Sequence, residues 1–160
     1  MVRINLIEPS HLSDQHLLAE WVEIQMLMKS LYNKLQTKSV EEVCKNIPDT
    51  YRLGKGHIKF FENKLSYLFT RLNLIHNTML NRGFNPNKQI IMDLFEMLSP
   101  YRELFNGWIA GSNDYLFIIE RLRDRIQNPL KMNKNNFTIA KIKVNTDVLF
   151  NLLNNIYSSI

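Results

Sequence analysis

The chain has 160 residues, 45% of them hydrophobic, with 20 Lys and Arg against 15 Asp and Glu for a formal net charge of +5. That is enough apolar material for one domain with a closed core and too little length for two, and the positive balance suits a polyanionic partner without identifying it. The lone Cys44 excludes an intrachain disulfide or a cysteine-rich metal cluster, and Arg3, Glu8 and Asp14 interrupt what a signal peptide would need as an apolar run, so a soluble, intracellular protein with no membrane span is expected.

In chain order, Ser13 is suited to cap a helix reaching Leu35, because its hydroxyl can accept from the unpaired amides of the first turn and Asp14 suits the positive helix end. Leu17, Trp21, Ile24, Met28, Leu31 and Leu35 recur at three- and four-residue steps and form the predicted core face. Val22 and Met26 lie off that face, on the side of Lys29 and Asn33. A short segment at residues 40–44 ends before Pro48, and residues 49–57, with two glycines, read as an ordered loop. A second long helix is predicted from the cap candidate Asn63 to Gly83, with Leu65, Leu68, Phe69, Leu72, Ile75 and Met79 as its buried stripe. Residues 90–98 form a shorter helix stopped by Pro100, and Asn113 caps a third long one to about Gln127. The alternation from Ile139 to Val144 predicts an extended piece, followed by an amphipathic helix over residues 145–157. No internal repeat or low-complexity run occurs. The fold class is therefore all-α: a compact domain of three long helices with short helices and loops over residues 1–137, and an extension at 138–160 packed on it. The richness in Asn, Lys and Ile hints at an AT-rich genome such as that of a large DNA virus or phage.

The residues that bear chemistry cluster early. An α-amine has an ordinary pKa of about 7.7–8.0 against about 10.4 for lysine, which makes a terminal nitrogen the readiest amine nucleophile near neutral pH. His16, Glu20 and Glu23 fall on one side of the first helix, at the edge of its apolar stripe. Taken alone, such glutamates are surface residues paired with cations, and His16 reads either as a DNA contact or as a half-buried histidine with a backbone partner. Gly54-Lys55-Gly56-His57 lacks the spacing and the Lys-Ser or Lys-Thr of a Walker loop, so the glycines serve a turn or a phosphate contact by Lys55 and His57. Arg121 and Arg125 stand one helical turn apart and point the same way. The histidines at 11, 16, 57 and 76 have no metal-ligand spacing and no nucleophile elbow occurs, so neither metal nor cofactor is expected.

Met1-Val2-Arg3-Ile4-Asn5-Leu6, Asp14-Gln15-His16-Leu17, Ala19-Glu20-Trp21 and Glu23, followed by Leu53-Gly54-Lys55-Gly56-His57, Phe60-Phe61, Lys64-Leu65 and Arg82-Gly83-Phe84-Asn85, resemble the phage endonuclease V family of pyrimidine-dimer DNA glycosylases. (The deoxyinosine-cleaving enzyme of that name is unrelated.) The resemblance implies a compact helical domain and a reaction in which the α-amine of residue 2, freed by loss of Met1, attacks C1′ of the damaged nucleotide to form an imine, with β-elimination then breaking the strand. It assigns the amine to Val2, where the best-known pattern has threonine, and the essential carboxylate to Glu23. It also gives Arg3, Gln15, His16, Lys55, His57, Arg121 and Arg125 to DNA, and leaves Glu20 without a settled role. The implied partner is duplex DNA carrying cyclobutane dimers or abasic sites, bound by a monomer without metal or membrane.

The family's arginines at positions 22 and 26 are replaced by Val22 and Met26. These are ordinary exposed apolar residues, or apolar wedges on DNA, or, in the preferred reading, a surface covered by the Val148, Leu149, Leu152 and Ile156 face of the last helix. Lost phosphate contacts would be compensated by Arg52, Lys55, Lys59, Arg123, Lys131 or Lys134. The family's aromatic and basic tail survives here only as the stretch from Leu130 to Phe137. Two rivals stay open: a divergent enzyme for abasic sites or another lesion, and a non-catalytic DNA-binding protein of the same fold.

Overall fold

Ser13 begins the longest element, and the computed structural model, which describes residues 4–127 and 137–159, shows its hydroxyl accepting from the His16 amide at 3.3 Å. Helix α1 (Asp14–Leu35) then buries the whole predicted stripe, with Leu17, Ile24, Met28 and Leu31 completely out of solvent. A 3-10 turn, Pro9–His11, precedes it. Helix α2 (Val40–Cys44) is too short to persist alone; a reciprocal capping box between Ser39 and Glu42 and the burial of Val43 hold it. Helix α3 (His57–Phe60) starts at Gly56, whose φ of 100° favours a residue without a side chain.

Helix α4 (Leu65–Asn81) buries all six predicted stripe residues against α1. It does not start at Asn63. Lys64 pairs with Phe105 in an isolated bridge and has φ −123° and ψ 46°, outside the helical region, and the Asn63 side chain takes the Lys64 ammonium instead of a helix amide. The other end is as expected. Gly83 has φ 73° and donates to Leu80, and Phe84 donates to Met79, which satisfies two terminal carbonyls in a Schellman arrangement. Helix α5 (Gln89–Leu98) stops before Pro100, and a second 3-10 turn, Arg102–Leu104, follows.

Helix α6 (Ser112–Gln127) begins two residues earlier than a cap at Asn113 predicts, because the Asp114 carboxylate accepts from the Gly111 amide and leaves Asn113 inside the first turn. The alternating stretch is a hairpin of β1 (Thr138–Ile139) and β2 (Ile142–Lys143), with Ala140 and Lys141 both at positive φ as a two-residue turn requires. Helix α7 (Thr146–Ser158) is capped by Asn145. The fold is mostly helical with this one small sheet, in agreement with the all-α expectation.

The last helix does not cover Val22 and Met26, which are 51% and 59% exposed. It packs on α6, where Ile118, Ile119, Leu122 and Ile126 form a longer apolar face than two side chains on α1 offer. Leu149 and Leu153 are the residues buried there, while Val148 stays exposed. Arg123 holds this pairing: it bonds Asn154 and lies 4.5 Å over the Tyr157 ring. None of the described helices is long and apolar enough to cross a membrane.

Candidate active site

Glu20 is entirely buried on α1, and a buried carboxylate needs compensating partners. Arg71 of α4 supplies a bidentate pair, with Nε to Oε1 and Nη2 to Oε2 both at 2.9 Å. Asn5 completes the set, its amide donating to Oε1 at 2.9 Å and its side chain to Oε2 at 3.0 Å, while the third Arg71 donor reaches the Ile7 carbonyl at 2.7 Å. One buried ion pair thus ties the N-terminal segment to both long helices, and Glu20 is a fastening residue. Glu23 follows three residues later and is partly exposed. Val2 and Arg3 lie outside the described residues.

A second tether lies one residue earlier. The Ile4 amide donates to His57 Nε2 at 3.3 Å, and His57 Nδ1 lies 3.0 Å from the Arg52 carbonyl. A carbonyl only accepts, so Nδ1 carries the proton and Nε2 is the acceptor: the ring is neutral in one defined tautomer. The ring is 4% exposed and packs edge-on against Tyr51 and Phe61, part of an aromatic cluster that includes Phe60, Tyr67 and Trp108. Both His57 ring nitrogens are engaged inside the chain, whereas the Lys55 side chain in the same loop is exposed.

His57 is also one wall of a cleft of about 830 Å3 that collects Lys34, Arg52, Lys55, Lys59 and Arg121, with Glu62 held by Lys34. The structure therefore brings Lys55 and Arg121 together from a loop and from α6, sixty-six positions apart, and makes a strongly positive concave surface. Arg121 also meets Asp124 at 3.3 Å in an exposed pair, which in water restrains it little. Arg125 stands on α6, but its side chain is outside the described residues, as are Lys131 and Lys134.

Gln15 and His16 have a different setting. Gln15 exchanges two hydrogen bonds with Thr138, at 3.1 and 3.2 Å, and the His16 ring stacks on Phe137 at 5.8 Å. Burial pushes the His16 imidazole down to about 4, so it is neutral near pH 7 and carries no charge for a phosphate. Its Nδ1 takes the Ser13 hydroxyl at 2.8 Å. Beside it the Asp14 carboxylate receives Arg82 at 2.9 Å and the Ala140 and Lys141 amides at 3.1 and 2.8 Å. Burial raises the Asp14 carboxyl, but Thr138, the Lys141 amide and Arg82 together outweigh it and hold the group below the ordinary carboxylate range.

Asn5 and Arg71 escape a search for surface motifs, yet one signal marks them. Arg71 sits within the apolar stripe of α4, between Leu68 and Leu72, and an arginine on a buried face implies a buried carboxylate facing it. Lys34 gives no such signal, since its place in the cleft depends on tertiary approach. Among the described residues no group of three His, Cys, Asp or Glu is arranged to hold a metal ion. A family model described as pyrimidine dimer DNA glycosylase matches residues 1–92, from the N-terminal segment into α5.

Proposed function

Because the chain belongs to the pyrimidine dimer DNA glycosylase family, we propose that it excises ultraviolet-induced cyclobutane pyrimidine dimers from duplex DNA and cleaves the resulting abasic strand. The observation that carries this reading is the double tether of the N-terminal segment, Ile4 on His57, which is itself a wall of the positive cleft, and Asn5 on Glu20. Two residues of chain span at most about 7 Å, so a free amine on Val2 stays within that radius of the tether.

In the proposed reaction the neutral Val2 amine donates its lone pair to C1′ of the damaged nucleotide, and the glycosidic bond breaks with its electrons leaving on the base. Ring opening gives an imine that acts as the electron sink. Loss of a C2′ proton then expels the 3′ phosphate, and water releases the sugar remnant from the amine. Glu23 supplies negative charge beside the developing cation and carries protons during imine formation. Lys55, Arg121 and the other cations of the cleft hold phosphates while the duplex is kinked and a base expelled to expose C1′. No cofactor is required.

Borohydride reduction tests this directly, because it fixes an imine as a covalent protein–DNA adduct. The unaltered protein, with intact mass showing Met1 removed, is expected to trap on duplex DNA containing either a dimer or an abasic site. Glu23→Gln is expected to lower the trapping rate by about 100-fold or more, and a form that keeps Met1 is expected to trap on neither. An unaltered protein that forms no adduct on either duplex refutes the enzymatic reading and leaves a DNA-binding protein.

A second reading has its own observation. The exposed, apolar Val22 and Met26 stand where family members usually carry arginine, which favours a lyase acting on abasic sites with dimer recognition lost. Trapping on the abasic duplex alone supports this alternative, and trapping on both rejects it.

A further inference from the structure

We propose that His57 is a positioning residue for the N-terminal nucleophile: its Nε2 holds the Ile4 amide and so fixes the pivot from which the reactive amine reaches the sugar. The inference rests on the proposed imine chemistry and extends it to a residue outside the reacting set. The geometry is specific. Nε2 accepts from Ile4 N–H at 3.3 Å, Nδ1–H is turned to the Arg52 carbonyl at 3.0 Å, and Tyr51 and Phe61 meet the ring in T-shaped contacts at centroid distances of 5.5 Å. The ring is thereby held in one orientation and one tautomer, and a protonated ring would present a donor to Ile4 in place of an acceptor. Gly56, at φ 100°, delivers His57 to this position at the first turn of α3, where the loop passes beside the cleft.

The tether acts on freedom of motion. With it, the anchor lies two peptide units from residue 2. Among the described residues the next backbone anchor is Asn5 on Glu20, so loss of the tether lengthens the arm between the amine and its nearest described anchor. Nucleophilic attack requires approach within about 3–3.5 Å along a defined line, and a misplacement of about 1 Å costs up to about 100-fold. Substrate binding, by contrast, is carried by the cations of the cleft, so loss of the tether should lower kcat and leave KM nearly unchanged.

Two substitutions separate positioning from general structural support. In His57→Gln the Oε1 atom reaches about as far as Nε2 and keeps an acceptor for Ile4, whereas in His57→Asn the side chain ends near the Nδ1 position, keeps the Arg52 contact and drops Ile4. Single-turnover borohydride trapping on abasic duplex, with thermal unfolding measured on each protein, is expected to give His57→Gln within about threefold of the unaltered rate. His57→Asn is expected about tenfold or more slower at saturating DNA, with KM within about threefold. Equal rates for the two folded variants overturn the proposal, and so does a loss confined to KM. Should both variants fail to fold, nitrogen-15 NMR of the unaltered protein decides. A proton on Nδ1 and an Ile4 amide protected from exchange support the tether, and a proton on Nε2 or a freely exchanging Ile4 amide overturns it. Failure of the unaltered protein to trap at all counts against the imine chemistry, a result distinct from equal trapping by the variants.

Discussion

At the scale of single residues, the N-terminal region shows how few polar groups settle a geometry. Glu20 and Arg71 are both removed from water, at 0% and 5% exposure, and neither charge is tolerable without the other. Glu20→Gln leaves a buried guanidinium facing a neutral amide and is expected to destabilise by about 3–5 kcal/mol, measured by urea unfolding; a loss under about 1 kcal/mol would mean that the pair is solvated. Tyr51 is the opposite case. Its ring is the hub between His57, Phe60, Phe61 and Trp108, but its hydroxyl is buried without a partner among the described residues, and burial pushes the phenol up. An unsatisfied buried hydroxyl costs about 1–3 kcal/mol, so Tyr51→Phe is expected to leave stability unchanged or raise it by about 1 kcal/mol in the same assay. A loss of that size would reveal a partner for the hydroxyl.

At the scale of elements, the first turn of α1 is the socket for the C-terminal segment. Asp14 receives both amides of the hairpin turn, Gln15 binds Thr138, and His16 stacks on Phe137. Ala140 and Lys141, at φ 50° and 66°, adopt a conformation unfavourable to residues with side chains, and the Asp14 carboxylate compensates by accepting from both of them. Two groups in this socket make it acid-labile. The unfolded chain protonates histidine below about pH 6.5, whereas folded His16 stays neutral until about 4, so the unfolded state holds more protons in that window and stability falls as pH drops through it. The loss is on the order of 3 kcal/mol, complete near pH 4. Asp14, held below its ordinary value, adds stability that is fully present above the unfolded carboxylate pKa and is lost as pH falls through its lower folded value. Urea unfolding at pH 7, 5 and 4 is expected to show the first decline, and His16→Gln is expected to flatten it. An unchanged slope in that variant would assign the acid sensitivity elsewhere.

At the scale of the whole molecule, α6 joins two functions on opposite faces. One face carries Leu122 and Ile126 against Leu149 and Leu153 of α7, and the other places Arg121 in the cleft. The segment beyond the family match, residues 93–160, therefore contributes both a cover for its own apolar surface and a cation to the concave face. If Lys55 and Arg121 each neutralise a phosphate, replacing either by Ala should lower the slope of log Kd against log salt by about one unit, measured on abasic duplex by anisotropy. Unchanged slopes would move the DNA track off the cleft. Val22→Arg should act in the opposite sense and steepen the dependence, since the position is half exposed on α1.

Local pattern was sufficient for the buried faces of the long helices and for several of their ends. The two apolar stripes of α1 and α4, the caps at Ser13 and Asn145, and the left-handed stop at Gly83 each depend on residues within a turn or two of one another, so periodicity and capping chemistry specify them without reference to the rest of the chain. The family resemblance was equally local, carried by runs such as Asp14-Gln15-His16-Leu17 and Leu53-Gly54-Lys55-Gly56-His57. What a side chain meets across the fold was not specified in that way. Glu20 and Glu23 are neighbours on one helix face, yet Arg71 of α4 buries the first and not the second. His57 and Lys55 share a loop, yet one turns inward to the Ile4 amide and the other faces the cleft. The covering of Val22 and Met26 was misassigned for the same reason: α7 had an apolar face to bury, and only the competition between α1 and α6 for that face decided where it went. Partners distant in sequence come together through packing of the whole core, and that packing is a property of no single segment.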